Sequence, residues 1–280
     1  MHRAWSGRMT GCVAGLEERG MLLSEKVLII AGAGPGLGRR LAIQGAREGA
    51  RIVVATQTRE GPEQIAAEVQ AAGGEAIARV ADIGSEADCA ALVDAALQAF
   101  GRVDSLINCA FSTAATGPFG ETALDQWAAN FNVTCLGALR MAQAVVPPMK
   151  AQGGGAIVNI SSMAVVQHVP EQAAYAVAKA ALEGATRQLA QELGPCNIRV
   201  NCARPGWMWG ATTQAYLQMQ ADARHCAVDD LLAPVRARIP LGRIPTDEEC
   251  AKTVLFLASD YASALTGVTL DVNGGERMSA

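Results

Sequence analysis

From residue 26 onward, short apolar runs rich in β-branched residues alternate with longer alanine-rich stretches. The runs "KVLIIA", "RIVVA", "EAIARV", "DSLIN", "GAIVNIS", "NIRVNCA" and "VTLDV" are apolar on both faces, as strands covered on both sides are. Between them, "GPEQIAAEVQAAGG", "SEADCAALVDAALQAFG", "ETALDQWAANFNVTCLGALRMAQAVVPPM" and "EQAAYAVAKAALEGATRQLAQELG" place apolar residues three to four apart and carry turn residues at their ends, which predicts helices. The alternation predicts the α/β class, with a single doubly wound domain of about seven parallel strands and helices on both faces. Residues 207–250 break the rhythm and read as an insertion of one or two helices. Its Trp207, Met208, Trp209, Tyr216, Leu217 and Met219 would serve equally as an apolar lid over a cleft or as ordinary core. Residues 1–23 lack the continuous apolar centre of a secretory signal, and Glu17 and Glu18 do not suit a transit peptide. They read as a disordered extension ahead of a domain over 24–280, with Met21 as an alternative start.

Charge and composition narrow the partners. A formal charge of −4 without a Lys/Arg cluster excludes general binding to nucleic acid or to an anionic membrane, which leaves a small molecule. No apolar stretch approaches the roughly eighteen residues of a membrane span. Eight cysteines are scattered without a CxxC pair, and only three histidines accompany them, so they read as reduced thiols of a cytoplasmic protein rather than as a disulfide framework or a metal site.

The chemistry starts at "AGAGPGLG", residues 31–38, directly after the first strand. The first strand-to-helix turn of such a sheet is its usual phosphate site. Gly32 can take backbone angles closed to other residues, while Gly36 and Gly38, flanking Leu37, let main chain and helix N-terminus approach a diphosphate. Downstream, "YAVAK" puts Tyr175 and Lys179 four apart, on one face of a helix.

Together, "GAGPGLG", "YAVAK", the "NISS" run thirteen residues before the tyrosine and "RPG" after the sixth strand resemble the short-chain dehydrogenase/reductase family over roughly residues 24–276. The resemblance implies a Rossmann-type sheet, a nicotinamide dinucleotide, hydride transfer between nicotinamide and a secondary alcohol or its ketone, and usually a homotetramer, otherwise a homodimer. It assigns Asn132, Ser162, Tyr175 and Lys179 as catalytic, Asn132 by holding a water that links Lys179 to solvent. It sets Asp82 and Ile83 beside the adenine, Asn108 and Ala110 along the adenosine side, and Pro205, Gly206 and Met208 at the cofactor's far end. The chain departs from the family's N-N-A-G after strand four: "NCAF" places Phe111 where glycine usually allows close approach.

The proton chemistry suits these residue types. A tyrosine ionises near pH 10. An ammonium about 4 Å away at an effective dielectric near 20 contributes up to ~4 kcal/mol, or about three pKa units, which would make Tyr175 a usable acid or base. At the end of strand two no carboxylate repels a 2′-phosphate, since Thr56 stands there, and Gln57 and Arg59 could bind one, with Arg59 or Arg39 supplying charge. This favours NADP(H) narrowly over NAD(H). The substrate expected is a carbonyl or alcohol with an apolar body suited to the Trp/Met-rich insertion. Reduction of a 3-oxoacyl chain on an acyl carrier protein is an alternative, weakened because only Lys150 offers itself to an acidic carrier. A non-catalytic dinucleotide sensor is another, though it would not need the Asn/Ser/Tyr/Lys set.

Overall fold

The computed structural model describes residues 21–58 and 60–278. Seven strands, β1 (Val27–Ala31), β2 (Arg51–Thr56), β3 (Ala76–Val80), β4 (Ser105–Asn108), β5 (Gly155–Ile160), β6 (Ile198–Pro205) and β7 (Thr269–Val272), form one sheet in the order β3-β2-β1-β4-β5-β6-β7. Every pairing is parallel. The order reverses between β1 and β4, and ligands of such sheets bind at the carboxyl ends of the strands beside that switch. All seven apolar runs became strands. The central four are almost wholly buried, because helices cover both faces.

The helices are α1 (Leu37–Arg47), α2 (Glu60–Ala71), α3 (Glu86–Phe100), α4 (Leu124–Phe131), α5 (Ala138–Ala151), α6 (Ala173–Leu193), α7 (Ala211–Arg224), α8 (Val228–Arg236) and α9 (Asp247–Ala258). Two apolar clusters build the core. One packs α1 and α9 on one face of the sheet through Leu41, Leu28, Ile30 and Leu255, and the other packs α3 and α5 on the opposite face through Leu92, Ile29, Met141 and Ile157. Between α4 and α5 the helix widens into a π segment, Asn132–Gly137. A Cβ on Gly137 would stand 2.7 Å from Ile83, so the bare glycine lets this segment press on the turn after β3.

The expected extension over 1–23 falls largely on residues 1–20, outside the described residues, but its last part belongs to the packed body: Leu23 is fully buried and the Leu22 N–H donates to the Glu48 carboxylate. The insertion holds two helices, α7 and α8. Leu217 with Leu232, Val235, Ile239 and Ile244 forms a small separate core against which Trp207 and Trp209 pack, and Met208 packs on the main core. Tyr216 and Met219 are exposed. The choice between lid and core thus resolves residue by residue, most of these side chains being core.

A buried ionic chain ties α6, β6 and β7 together. The Ser161 hydroxyl donates to Glu183 on α6 (2.6 Å), Glu183 takes the Arg204 guanidinium in a two-pronged pair (both 2.8 Å), and Arg204 reaches Asp271 on β7 (3.0 Å). Paired and hydrogen-bonded in this way, the charges can remain in a dry interior.

Candidate active site

The turn after β1 is shaped by bare backbone. Gly32 has φ +90°, and a Cβ there would lie 2.3 Å from the Ala110 backbone nitrogen, so only glycine fits between β1 and the chain leaving β4. Around Gly36, in contrast, space is open: the nearest atom to a Cβ would be Thr212 Oγ1 at 3.8 Å. Gly38 does not serve ligand approach as expected. A Cβ there would meet Ala33 Cα at 2.6 Å, so its role is close packing of α1 on the turn, and Leu37 beside it is buried in the core.

Beyond this turn lies a cleft of about 200 Å³. Gly32, Gly34, Thr56, Gln57, Ile83 and Ala110 line it. It fits the adenosine-diphosphate part of a dinucleotide in shape and charge: a glycine floor, apolar sides from Ala81 and Ile83, and no carboxylate among its lining residues. The Thr56 hydroxyl donates back to the Thr58 carbonyl at 2.7 Å, and the Gln57 amide donates to Asp82 at 2.8 Å. Asp82 also accepts from the Gly84 N–H, so its carboxylate is held at the rim, and its neighbours Ala81 and Ile83 form the wall. Arg59 lies outside the described residues. Arg39 is paired with Glu68 at 2.6 Å, so it does not stand ready for a phosphate.

One further expectation is corrected here. The Asn108 side chain turns into the sheet, donating to the Ala138 carbonyl and to Asn159, while the next residues, Cys109 and Ala110, face the cleft. Successive residues of a strand point to opposite sides, which explains the exchange. Gly206 follows β6 with its N–H on the Val272 carbonyl, and Met208 packs on the main core.

A second cavity, also about 200 Å³, adjoins the first. Ser162, Tyr175, Gln172, Asn130, Ser112 and Thr113 line it, and Phe111 borders both cavities. Ser162 follows β5, and its hydroxyl accepts from the Ala164 N–H at 3.2 Å. Tyr175 stands on the first turn of α6. Burial raises its phenol above the ordinary tyrosine value, and a hydrogen bond with Ser162 pulls in the other direction.

Lys179, one turn along α6, is 1% exposed, donates to the Ile160 carbonyl, and holds its Nζ 5.7 Å from the Tyr175 ring centre. Burial lowers its pKa to about 8. The expectation that Lys179 brings Tyr175 down near neutrality is not met in the free protein, where burial of the phenol outweighs the Ser162 hydrogen bond. Cys109, Cys135 and Cys202 lie within electrostatic reach of the lysine. Burial pushes Cys109 up to about 11 and Cys202 to about 12, so they are neutral thiols that keep its surroundings dry. Seven cysteines among the described residues are free, and those residues hold no cluster suited to a metal.

Asn132 does not join this group. Its side chain accepts from Arg140 at 2.8 Å and reaches toward Gly84, and it lines neither cavity. Its neighbour Asn130 lines the second cavity instead, and Thr134 lies one turn along beside it. Both are fully buried, and together they grip the loop after β4: the Ser112 N–H donates to Thr134 Oγ1 (3.0 Å) and Asn130 Nδ2 donates to the Ser112 carbonyl (2.7 Å). Thr134→Val would leave the half-buried Ser112 N–H without its partner, at a cost of about 1 kcal/mol. We expect that variant to lose this much stability in urea unfolding and to raise KM for substrate, whereas Asn132→Ala stays within about twofold of wild type in turnover; a large kcat loss in Asn132→Ala alone would reverse the assignment.

The family model described as enoyl-(acyl carrier protein) reductase matches residues 32–276. Dehydrogenase/reductase SDR family member 4 of Bos taurus is 34% identical over 98% of this chain and 94% of its own length. A 3-oxoacyl-(acyl-carrier-protein) reductase of Thermotoga maritima is 33% identical over 91% of this chain and 99% of its own. Among solved structures, a levodione reductase superposes with a TM-score of 0.83 at 29% identity, covering 91% of this chain and 98% of that one. An NAD+-bound xylitol dehydrogenase gives 0.82 at 32%, covering 90% and 99%. With the glycine turn, the Ser/Tyr/Lys cluster and the parallel sheet all in place, the chain belongs to the short-chain dehydrogenase/reductase family of oxidoreductases acting on alcohol and ketone groups.

Proposed function

We propose that Tyr175 is the acid/base of this oxidoreductase, that Ser162 holds the substrate oxygen, and that Lys179 orients the cofactor ribose and the phenol's proton. The observation that carries the reading is the meeting of Ser162 and Tyr175 in one cavity wall, with Lys179 buried one turn behind and the glycine-floored cleft alongside. A nicotinamide dinucleotide supplies or accepts the hydride when bound. Gly32, Gly34, Gly36, Ala110 and Ile83 would hold it, with Thr56 and Gln57 at its adenosine ribose. In carbonyl reduction Tyr175 donates a proton to the oxygen that Ser162 has positioned. Burial keeps the phenol in its protonated form at neutral pH, the form that carbonyl reduction needs, although a raised pKa makes it a weaker donor. Oxidation of the alcohol needs the ionised phenol, so its rate rises with pH.

We infer a preference for NADP(H) from the uncharged Thr56 and Gln57, where a carboxylate would repel a 2′-phosphate. Titration of the intrinsic fluorescence is expected to give tighter binding of NADPH than of NADH, by about tenfold for one charge-assisted contact worth ~1.4 kcal/mol; tighter NADH binding would overturn this part. A homotetramer and a cytoplasmic, reducing setting accord with the family and with the free thiols.

The carrier-protein relative favours a second reading, 3-oxoacyl reduction. Turnover of a panel of ketones and of a 3-oxoacyl thioester, with Tyr175→Phe as control, separates the two. Dinucleotide binding without turnover of any substrate, unchanged in that variant, would instead support a sensor.

A further inference from the structure

Phe111 stands where the two cavities meet. Its ring lies edge-on to Tyr175, with centroids 5.8 Å apart and planes at 69°. The side chain is 56% exposed, an unusual exposure for a phenylalanine at the mouth of a buried reaction site. Its backbone is held on both sides. The N–H groups of Cys109 and Ala110 both donate to the Ala31 carbonyl, at 2.8 and 2.9 Å, and Ser112 is gripped by Asn130 and Thr134. The ring's location is thus set by four hydrogen bonds in the flanking backbone, and only its own torsions are free.

The remainder of the substrate cavity is polar. Ser112, Thr113, Thr116, Asn130 and Gln172 line it, with Ala115 the other apolar residue beside Phe111. At about 200 Å³, it is smaller than the roughly 300–1,000 Å³ usual for drug-sized ligands. An apolar surface next to the reacting tyrosine, facing a hydroxyl- and amide-lined remainder, calls for a compact molecule with one apolar flank at the carbonyl and polar groups beyond it.

We propose that Phe111 sets substrate selectivity: the ring is the apolar wall against which the carbonyl's flank packs, and it limits that flank to about a single ring. This rests on Tyr175 being the acid/base. Replacing Phe111 by alanine vacates the ring's own volume beside Tyr175, so a larger flank gains room while a small one loses contact.

The test uses the full chain with NADPH or NADH, whichever it turns over, and two cyclic ketones, one monocyclic and one fused bicyclic. Wild type is expected to prefer the monocyclic ketone. Phe111→Ala should shift the ratio of the two kcat/KM values toward the bicyclic one by about tenfold or more, the scale on which pockets discriminate a few methylenes. The shift should appear in KM, and Phe111→Leu should fall between. A ratio constant within twofold across all three proteins overturns the proposal. So does a tenfold loss of dinucleotide affinity in Phe111→Ala with the ratio unchanged, which would make the ring part of the cofactor wall. If Phe111→Ala does not fold, Phe111→Leu and Phe111→Val decide by the same ratio. Wild-type protein that turns over no ketone and no alcohol would overturn the catalytic reading, and this proposal with it.

Discussion

Tyr175→Phe is expected to lower turnover by about 10³-fold while leaving dinucleotide binding within about twofold. The magnitude follows from removing a positioned proton donor, for which 10²–10⁴ is the usual loss. The phenyl ring keeps its edge contact with Phe111, so the cavity retains its shape. The one group lost is the hydroxyl that meets Ser162, and Ser162 keeps its Ala164 N–H. Steady-state kinetics on the best ketone, with fluorescence titration of the dinucleotide, checks both halves. A variant retaining a tenth of wild-type turnover would show that the proton comes from elsewhere.

Lys179→Met should also abolish turnover, by at least about 10²-fold, and in addition change how stability depends on pH. The folded pKa of Lys179 is about 8, against 10.5 for the ordinary side chain. Below pH 8 both folded and unfolded chains carry the proton, and the buried ammonium's penalty is present in full. Between pH 8 and 10.5 the unfolded chain binds more protons, so stability contributed by this group rises with pH. The difference between the two pKa values corresponds to about 3 kcal/mol. The variant lacks that rise, and its other cost, the Ile160 carbonyl left without its donor, does not vary with pH. Urea unfolding of both proteins at pH 7.5 and pH 10 should show wild type gaining about 2–3 kcal/mol on the variant. An unchanged difference would mean that the lysine is not held in a dry site.

Reading the chain alone located all seven strands, because a parallel sheet buried on both faces leaves continuous apolar runs that need no partner to be recognised. Tyr175 and Lys179 were also visible, since their spacing is local to one helix. Asn132 was misplaced for a geometric reason. Residues 130 and 134 share a helix face, and residue 132 is turned roughly 200° from the first of them, toward Arg140. Ser112 and Phe111 could not be joined to that face from the sequence, because the loop after β4 reaches α4 only through hydrogen bonds spanning about twenty residues. The ionisation of Tyr175 was misjudged because sequence spacing reveals a charged neighbour but not the loss of water around the phenol.

The ionic chain from Ser161 through Glu183 and Arg204 ends on Asp271, in the final strand. During synthesis, therefore, the Arg204 guanidinium waits without Asp271 until almost the whole polypeptide has emerged. The helix that carries Tyr175 and Lys179 is already held to the sheet through Asn159, Ser161 and Arg204, so a chain ending before the last strand would keep that helix docked and lose only the outer brace on its arginine.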